Sequence, residues 1–259
     1  MADPRVLVLR AAGINCDLET RFGFEREGAR ADLVHVNRLL ESPAVLDDYG
    51  LLVIPGGFSY GDHIAAGKVL AVELERALGD HLRRFVDRGG LMLGICNGFQ
   101  VLVRTGLLPE GLAGGGRQTA TLSWNDSHRY EDRWVHLRVD AERCLLAPPA
   151  LERVSLPVGH GEGRFTMKDE ESIEQLIRNH QAVFRYVNED GSEPSYPADP
   201  NGSMGHIAGV CDPSGRILGL MPHPDRALFP WNHPRWTREE DRRDGDGVWL
   251  FKAAVAAMR

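Results

Sequence analysis

The sequence predicts an α/β fold of three layers around a mostly parallel sheet, with an antiparallel extension, in a single domain over residues 1–259. Three observations carry this. Short apolar runs alternate with helical patterns over the first 105 residues, the signature of a parallel sheet covered on both faces. The second half changes texture, with strand-like runs and little helix between them. The length of 259 residues, with 42% hydrophobic and 26% charged, gives enough apolar material for one large core and argues against global disorder.

Residues 5–10 (RVLVLR) form a short apolar run suited to a buried strand, and residues 17–28 read as a helix that Gly28 closes. Residues 31–36 (ADLVHV) and 51–54 (LLVI) read as the next strands, the latter ending abruptly at Pro55-Gly56-Gly57. A long helical pattern fills residues 64–86, with Leu70, Leu74, Leu78, Leu82 and Phe85 spaced to share one face. After the break at 87–90 (DRGG), residues 91–95 (LMLGI) predict a fourth strand and 97–105 its following helix. Strands are then expected at 119–124, 134–139, 153–158, 182–187, 205–211 and 216–221, with a short helix at 172–180 and a closing helix at 247–258. The turn DPSG at 212–215 makes a hairpin of two of these strands. Stretches 188–204 and 222–246 are long, polar loops of the kind that usually carry function.

Charge and composition exclude several roles. A net charge of -7 and a pI near 5.8 leave no footprint for nucleic acid or an anionic membrane. No apolar run approaches the length of a bilayer span, and the start MADPRVLVLR has no signal pattern. The four cysteines at 16, 96, 144 and 211 make no CxxC pair, so free thiols in a reducing cytoplasm are expected rather than a disulfide framework or a metal site. Residues 61–68 imitate a phosphate-binding loop, but the glycines are five residues apart and Val69 stands where a hydroxyl is needed.

The sharpest motif is GICNGFQ at 94–100. It follows an apolar strand and opens a helix, so it reads as a nucleophile elbow with Cys96 as nucleophile. Small residues two positions before and after the cysteine permit the sharp turn, and the helix N-terminus suits a negatively charged nucleophile. A thiolate nucleophile needs a base and a group to orient it, not necessarily nearby in sequence. His223 in LMPHPD at 220–225 is the candidate base, held by prolines on both sides, and Asp225 could accept from its second ring nitrogen. PGGF at 55–58 ends another central strand on the same edge. Its glycines would let backbone N–H groups reach a substrate oxyanion.

Taken together, these pieces resemble the class I, triad-type glutamine amidotransferases, which have a flavodoxin-like sheet. More closely they resemble the glutaminase components of phosphoribosylformylglycinamidine synthases. The resemblance rests on GINCD at 13–17, GGFSYGD at 56–62, GICNGFQ at 94–100, HGEGR at 160–164, NGS at 201–203 and GLMPHPDRA at 219–227, in that order. It implies that Cys96 attacks the side-chain amide of L-glutamine, releasing glutamate and ammonia through a thioester. It implies His223 as base and then acid, Asp225 as its orienter, an oxyanion hole at Gly57 and Asn97, and glutamine binding by Phe58 and Gln100.

It also implies no cofactor or metal in this chain. The partner would be a large synthetase subunit that uses ATP and Mg2+, with a small third subunit, and it would turn formylglycinamide ribonucleotide into formylglycinamidine ribonucleotide for purine biosynthesis. The chain begins at its own Met1 without a nucleotide-binding synthetase region, so a separate glutaminase subunit is expected. In two places the pattern departs from the family. Its third triad residue is usually Glu, and Asp225 is one methylene shorter. Residues 228–246 have no recognised counterpart.

Two other readings compete. One is a glyoxalase or deglycase on a similar sheet, against which Gln100 and the PHPD segment argue. The other is a degenerate amidotransferase kept as a scaffold, which the change from Glu to Asp favours and the intact Cys96 and His223 oppose.

Overall fold

The computed structural model of the chain describes residues 3–147, 151–238 and 243–259. Residues 239–242, inside the long C-terminal loop read above, lie outside the described residues. The chain runs β1 (Arg5–Arg10), α1 (Asp17–Arg26), β2 (Arg30–His35), α2 (Val36–Glu41), β3 (Leu51–Ile54), α3 (Lys68–Asp87), β4 (Leu91–Ile95) and α4 (Asn97–Arg104). It continues through β5 (Ala120–Ser123), β6 (Glu131–Val139), β7 (Arg153–His160), β8 (Arg164–Met167), α5 (Glu170–Arg178), β9 (Phe184–Val187), β10 (Ile207–Cys211), β11 (Ile217–Leu220) and α6 (Val248–Ala257).

Nine strands form one sheet in the order β2-β1-β3-β4-β11-β10-β9-β6-β7, and β5 pairs with β8 separately. The ladders from β2 to β11 are parallel, and those from β11 to β7 are antiparallel. The expected architecture is therefore present, with the antiparallel extension making up four of the nine strands. β3 and β4 are buried along their whole length, as the unbroken apolar runs require of strands covered on both faces. Right-handed crossovers place the covering helices. β1 to β2 steps one way along the sheet and β3 to β4 the other, so α1 and α3 lie on opposite faces. α6 packs on α1, where Phe24 meets Phe251 edge-on at 4.8 Å; α4 packs beside α3.

The helical face expected on α3 is the one buried: Leu70, Leu74, Leu78, Leu82 and Phe85 are all in the core. Each such side chain contributes about 1.5–3 kcal/mol by leaving water. The helix starts later than the pattern suggests. Asp62 and Gly67 take φ of 50° and 70°, and these left-handed residues keep 63–67 out of the helix and wrap the segment round a cavity. α2 and β8 were not anticipated. No helix among the described residues is long and apolar enough to cross a membrane.

Candidate active site

The site lies where β3, β4 and β11 end side by side. β4 and β11 run parallel, with Ile95 opposite Leu220, so Cys96 and the 221–225 segment leave the sheet at the same edge. Cys96 has φ 50° and ψ −105° between strand and helix, a conformation rare for a side chain with a Cβ. The flanking glycines make it possible. A Cβ on Gly98 would lie 1.9 Å from the Ile54 carbonyl oxygen, and one on Gly94 would lie 2.6 Å from the Gly98 backbone. Cys96 is buried, and its thiol faces the Gly159 carbonyl oxygen at 3.7 Å.

His223 is also buried, and its backbone N–H donates to Pro157 O at 2.8 Å. Its Nδ1 stands 3.3 Å from Asp225 Oδ1. That contact is an ion-pair distance without the alignment of a hydrogen bond, so Nδ1 and both Asp225 oxygens are buried without a hydrogen-bond partner. Burial opposes the charged imidazolium, but the Cys96 sulfur and the Asp225 carboxylate outweigh it and raise the His223 pKa well above its ordinary value. Gly56 makes room for the ring: a Cβ there would come within 2.6 Å of His223 Cε1.

Gly57 has φ 142° and bridges to Ile14, where a Cβ would collide with Gly13 O at 2.7 Å. Phe58 N–H is committed to Gly13 O at 2.8 Å, while Gly57 itself lines the cavity. Asn97 opens α4, whose first amides have no intrahelical acceptor. Its side chain is a hub: Oδ1 accepts from Ser59 N–H at 3.2 Å, and Nδ2 donates to Asp62 Oδ1 at 3.2 Å and Gln100 Oε1 at 2.9 Å. Gln100 in turn donates to Glu162 O at 2.6 Å. Both ends of its amide are thus engaged with protein, bracing the 161–163 loop against the elbow. Phe58 is half-exposed on the same cavity, its ring 6.4 Å from Tyr130.

The cavity measures about 460 Å³ and holds Cys96, Gly57, Phe58, Asp62, Gln100 and His160 in its wall. Its floor is acidic. Burial, with Glu162 beside it, raises the Asp62 pKa. Asp62 Oδ1 also accepts from Gly67 N–H at 3.3 Å, and among the described residues no hydrogen bond reaches Oδ2. Glu162 is partly offset by Arg104, 3.6 Å away.

Cys16 was read only as part of a motif, yet it joins the site. Its sulfur, a His223 ring nitrogen and an Asp225 oxygen lie within 4.8 Å of one another. Those are metal-ligating atom types. Arg226 Nη2, however, donates to the same sulfur at 3.1 Å and holds a positive charge there. Nothing local in the sequence marks this contact, because it joins the segment after β1 to the segment after β11, more than 200 residues on.

The CobB/CobQ-like glutamine amidotransferase domain family matches residues 3–256. The chain is 43% identical to the phosphoribosylformylglycinamidine synthase subunit PurQ of Dehalococcoides mccartyi, over 100% of this chain and 99% of that protein. It is 39% identical to the protein of the same name from Methanococcus maripaludis, over 97% of this chain and 96% of that one. Among solved structures it is similar to a chain of PurLQS from Thermotoga maritima, with a TM-score of 0.75 and 30% identity over 100% of both chains.

Proposed function

The chain belongs to the family of phosphoribosylformylglycinamidine synthase PurQ subunits, within the CobB/CobQ-like glutamine amidotransferases, and on that premise we propose how its residues do the family's chemistry. It is a glutamine amidotransferase, the glutaminase subunit of phosphoribosylformylglycinamidine synthase in purine biosynthesis, and it works as one subunit of a complex. One observation carries the residue assignment: neighbouring parallel strands deliver Cys96 and His223 to the same edge, beside a cavity that reaches the thiol.

Cys96 attacks the side-chain carbonyl carbon of L-glutamine while its proton passes to His223. The N–H groups of Gly57 and Asn97 hold the oxyanion, where charge develops in the transition state. The C–N bond breaks, His223 returns the proton to the leaving nitrogen, and ammonia departs from a γ-glutamyl thioester. Water then attacks the thioester with His223 as base, and glutamate leaves with the thiol restored. Asp225 orients His223 and supports its positive charge. Phe58 closes the cavity mouth over the substrate. Gln100 shapes the pocket through Asn97 and Glu162, and Oδ2 of Asp62 receives the α-ammonium of glutamine. The ammonia passes to a large synthetase subunit, which uses ATP and Mg2+ to convert formylglycinamide ribonucleotide to formylglycinamidine ribonucleotide; a small third subunit completes the assembly.

The test is glutamine hydrolysis by the chain with and without the synthetase subunit, together with labelling by a glutamine-like electrophile. Label on Cys96 with loss of activity supports the assignment. Label on Cys16, Cys144 or Cys211 with the same loss overturns it.

A further inference from the structure

Cys16 stands at the N-cap of α1, and its backbone N–H donates to Gly56 O at 3.2 Å, which ties it to the turn after β3. Its side chain is buried and is not among those that line the cavity holding Cys96. It lies against His223 instead. A Cβ on Gly56 would be 2.6 Å from His223 Cε1, 3.4 Å from Nδ1 and 3.3 Å from Cys16 Sγ, so the sulfur and the Nδ1–Cε1 edge of the ring border one small space. That sulfur, a ring nitrogen of His223 and a carboxylate oxygen of Asp225 lie within 4.8 Å of one another.

Two contacts fix the sulfur. Its S–H donates to Asn15 Oδ1 at 3.3 Å, and Arg226 Nη2 donates to it at 3.1 Å. Arg226 is steadied in turn by Glu19, 3.8 Å from its Nε. With the thiol hydrogen directed at Asn15, the sulfur is an acceptor toward its other neighbours.

The ring needs an acceptor there. Nδ1 is turned to Asp225, so Nε2 is left to take the Cys96 proton and Nδ1 carries the hydrogen. Among the described residues Nδ1 has no hydrogen-bond partner, because Asp225 Oδ1 stops at 3.3 Å and out of line. A buried donor left unpaired is costly, the more so once the ring is charged. Burial lowers the His223 pKa, while Cys96, Asp225 and, after them, Cys16 raise it, so the sulfur acts on the ring in the same sense as the carboxylate.

We propose, resting on the glutaminase reading above, that Cys16 is a positioning residue for His223, its sulfur sharing the Nδ1 hydrogen with an Asp225 carboxylate that falls short of it. When the Cys96 proton reaches Nε2, the second N–H of the imidazolium lies between a carboxylate oxygen and a sulfur lone pair. The ring then keeps its angle toward Cys96 through proton uptake and return. Arg226 sets where the sulfur stands, and no bond to Cys16 forms or breaks. The role depends on residue 225: a carboxylate one methylene longer reaches Nδ1 without help.

The experiment is a double-mutant cycle in the chain assembled with its synthetase partner, following glutamate release. Cys16→Ala is expected to lower kcat about 10-fold with KM nearly unchanged, since the sulfur does not touch the cavity. Cys16→Ser, which keeps a small acceptor, recovers part of the loss. Made on Asp225→Glu, Cys16→Ala is expected to cost only about 2-fold further. A merely structural loss would appear equally in both backgrounds. Cys16→Val, which keeps the volume and removes the lone pairs, carries the cycle if thermal melts show that Cys16→Ala does not fold. Equal losses with Asp225 and with Asp225→Glu, a loss confined to KM, or a folded Cys16→Ser variant no better than Cys16→Ala would overturn the proposal. A wild-type complex that releases no glutamate overturns the glutaminase reading itself, and the proposal with it.

Discussion

His223 Nδ1 stands 3.3 Å from Asp225 Oδ1, with no hydrogen bond between them, although both groups are buried. A charge-assisted N–H···O bond spans about 2.7–2.9 Å. The gap fits a carboxylate that is one methylene shorter than the Glu that the family resemblance led us to expect.

Asp225→Glu is therefore expected to keep or raise glutaminase turnover. Asp225→Asn is expected to lower it about 10- to 100-fold, since the misplaced or unsupported base loses its orientation. The pH profile gives a second readout. Asp225 is one of the charges raising the His223 pKa, so its carboxylate keeps the imidazolium protonated to higher pH. Neutralising it lowers that pKa and moves the limb of kcat/KM that reports His223 to lower pH, whereas Asp225→Glu leaves that limb in place. A fully active Asp225→Asn variant with an unmoved limb would show that another group orients the ring.

Cys96→Ala in the assembled synthase is expected to abolish glutamine-dependent synthesis and to spare synthesis from added ammonia. The nucleophile is needed to release ammonia and not to use it. Assaying both nitrogen sources side by side checks this; parallel loss of the two would contradict separate sites for release and use.

The elbow makes a stability prediction. Gly98→Ala forces a Cβ to within 1.9 Å of a backbone oxygen, a clash no rotamer can relieve. Overpacking of this kind costs about 1–3 kcal/mol, or several degrees of Tm at this chain length. Gly79 is the contrast. It sits in α3, and a Cβ there meets only the end of Arg83 at 3.6 Å. Gly79→Ala should stabilise by about 0.5–1 kcal/mol. Thermal melts of the two variants test both signs at once.

Asp62→Asn probes the other end of the substrate. If Oδ2 receives the α-ammonium, the variant loses about 10- to 100-fold in kcat/KM on glutamine and little on glutaramic acid, the analogue of glutamine that lacks the α-amino group. An equal loss on both would mean that Asp62 matters only through its bond to Asn97.

How much of this was legible in the sequence depends on distance along the chain. The elbow and the face of α3 follow from neighbouring residues, and both were readable: the glycines at 94 and 98 predicted the turn, and five apolar positions predicted the buried stripe. The start of α3 was misread because helical periodicity continues through 64–67, while the left-handed Asp62 and Gly67 divert the backbone. β8 was missed because RFTM shares Arg164 with HGEGR and pairs with β5, more than forty residues earlier. The pairing of His160 with Asn125 was illegible for the same reason. The register of distant strands brings Asn125 to the ring, and nothing local marks the pair.

The last prediction concerns the partner. Ammonia released with no acceptor ready wastes glutamine, and at neutral pH it is mostly protonated and not nucleophilic. A coupled enzyme gains by completing its site only on assembly, through an element that the partner can move. The surface offers a contact for that. Phe22 on α1 lies 6.0 Å from Phe229, and Phe229 stacks on Trp231 at 4.7 Å. Leu18 is one helical turn from Phe22, and Leu18 and Trp231 are 56% and 60% exposed. A continuous apolar row of this kind, with tryptophan at its end, suits an interface anchor. It also adjoins the segment that follows His223 and Asp225, so a partner seated there could act on the triad. Trp236 is also exposed, but it lines a pocket on the other side of Phe229 with Trp134 and His233 instead of extending the row. Trp231→Ala combined with Phe22→Ala should weaken binding of the synthetase subunit and the stimulation it gives, with basal glutaminase activity nearly unchanged. Trp236→Ala should do less. Titrating the synthetase subunit into each variant while following glutamate release measures both effects. An isolated wild-type chain that already turns over glutamine as fast as the complex would refute gating by the partner, whatever the aromatic row contributes to binding.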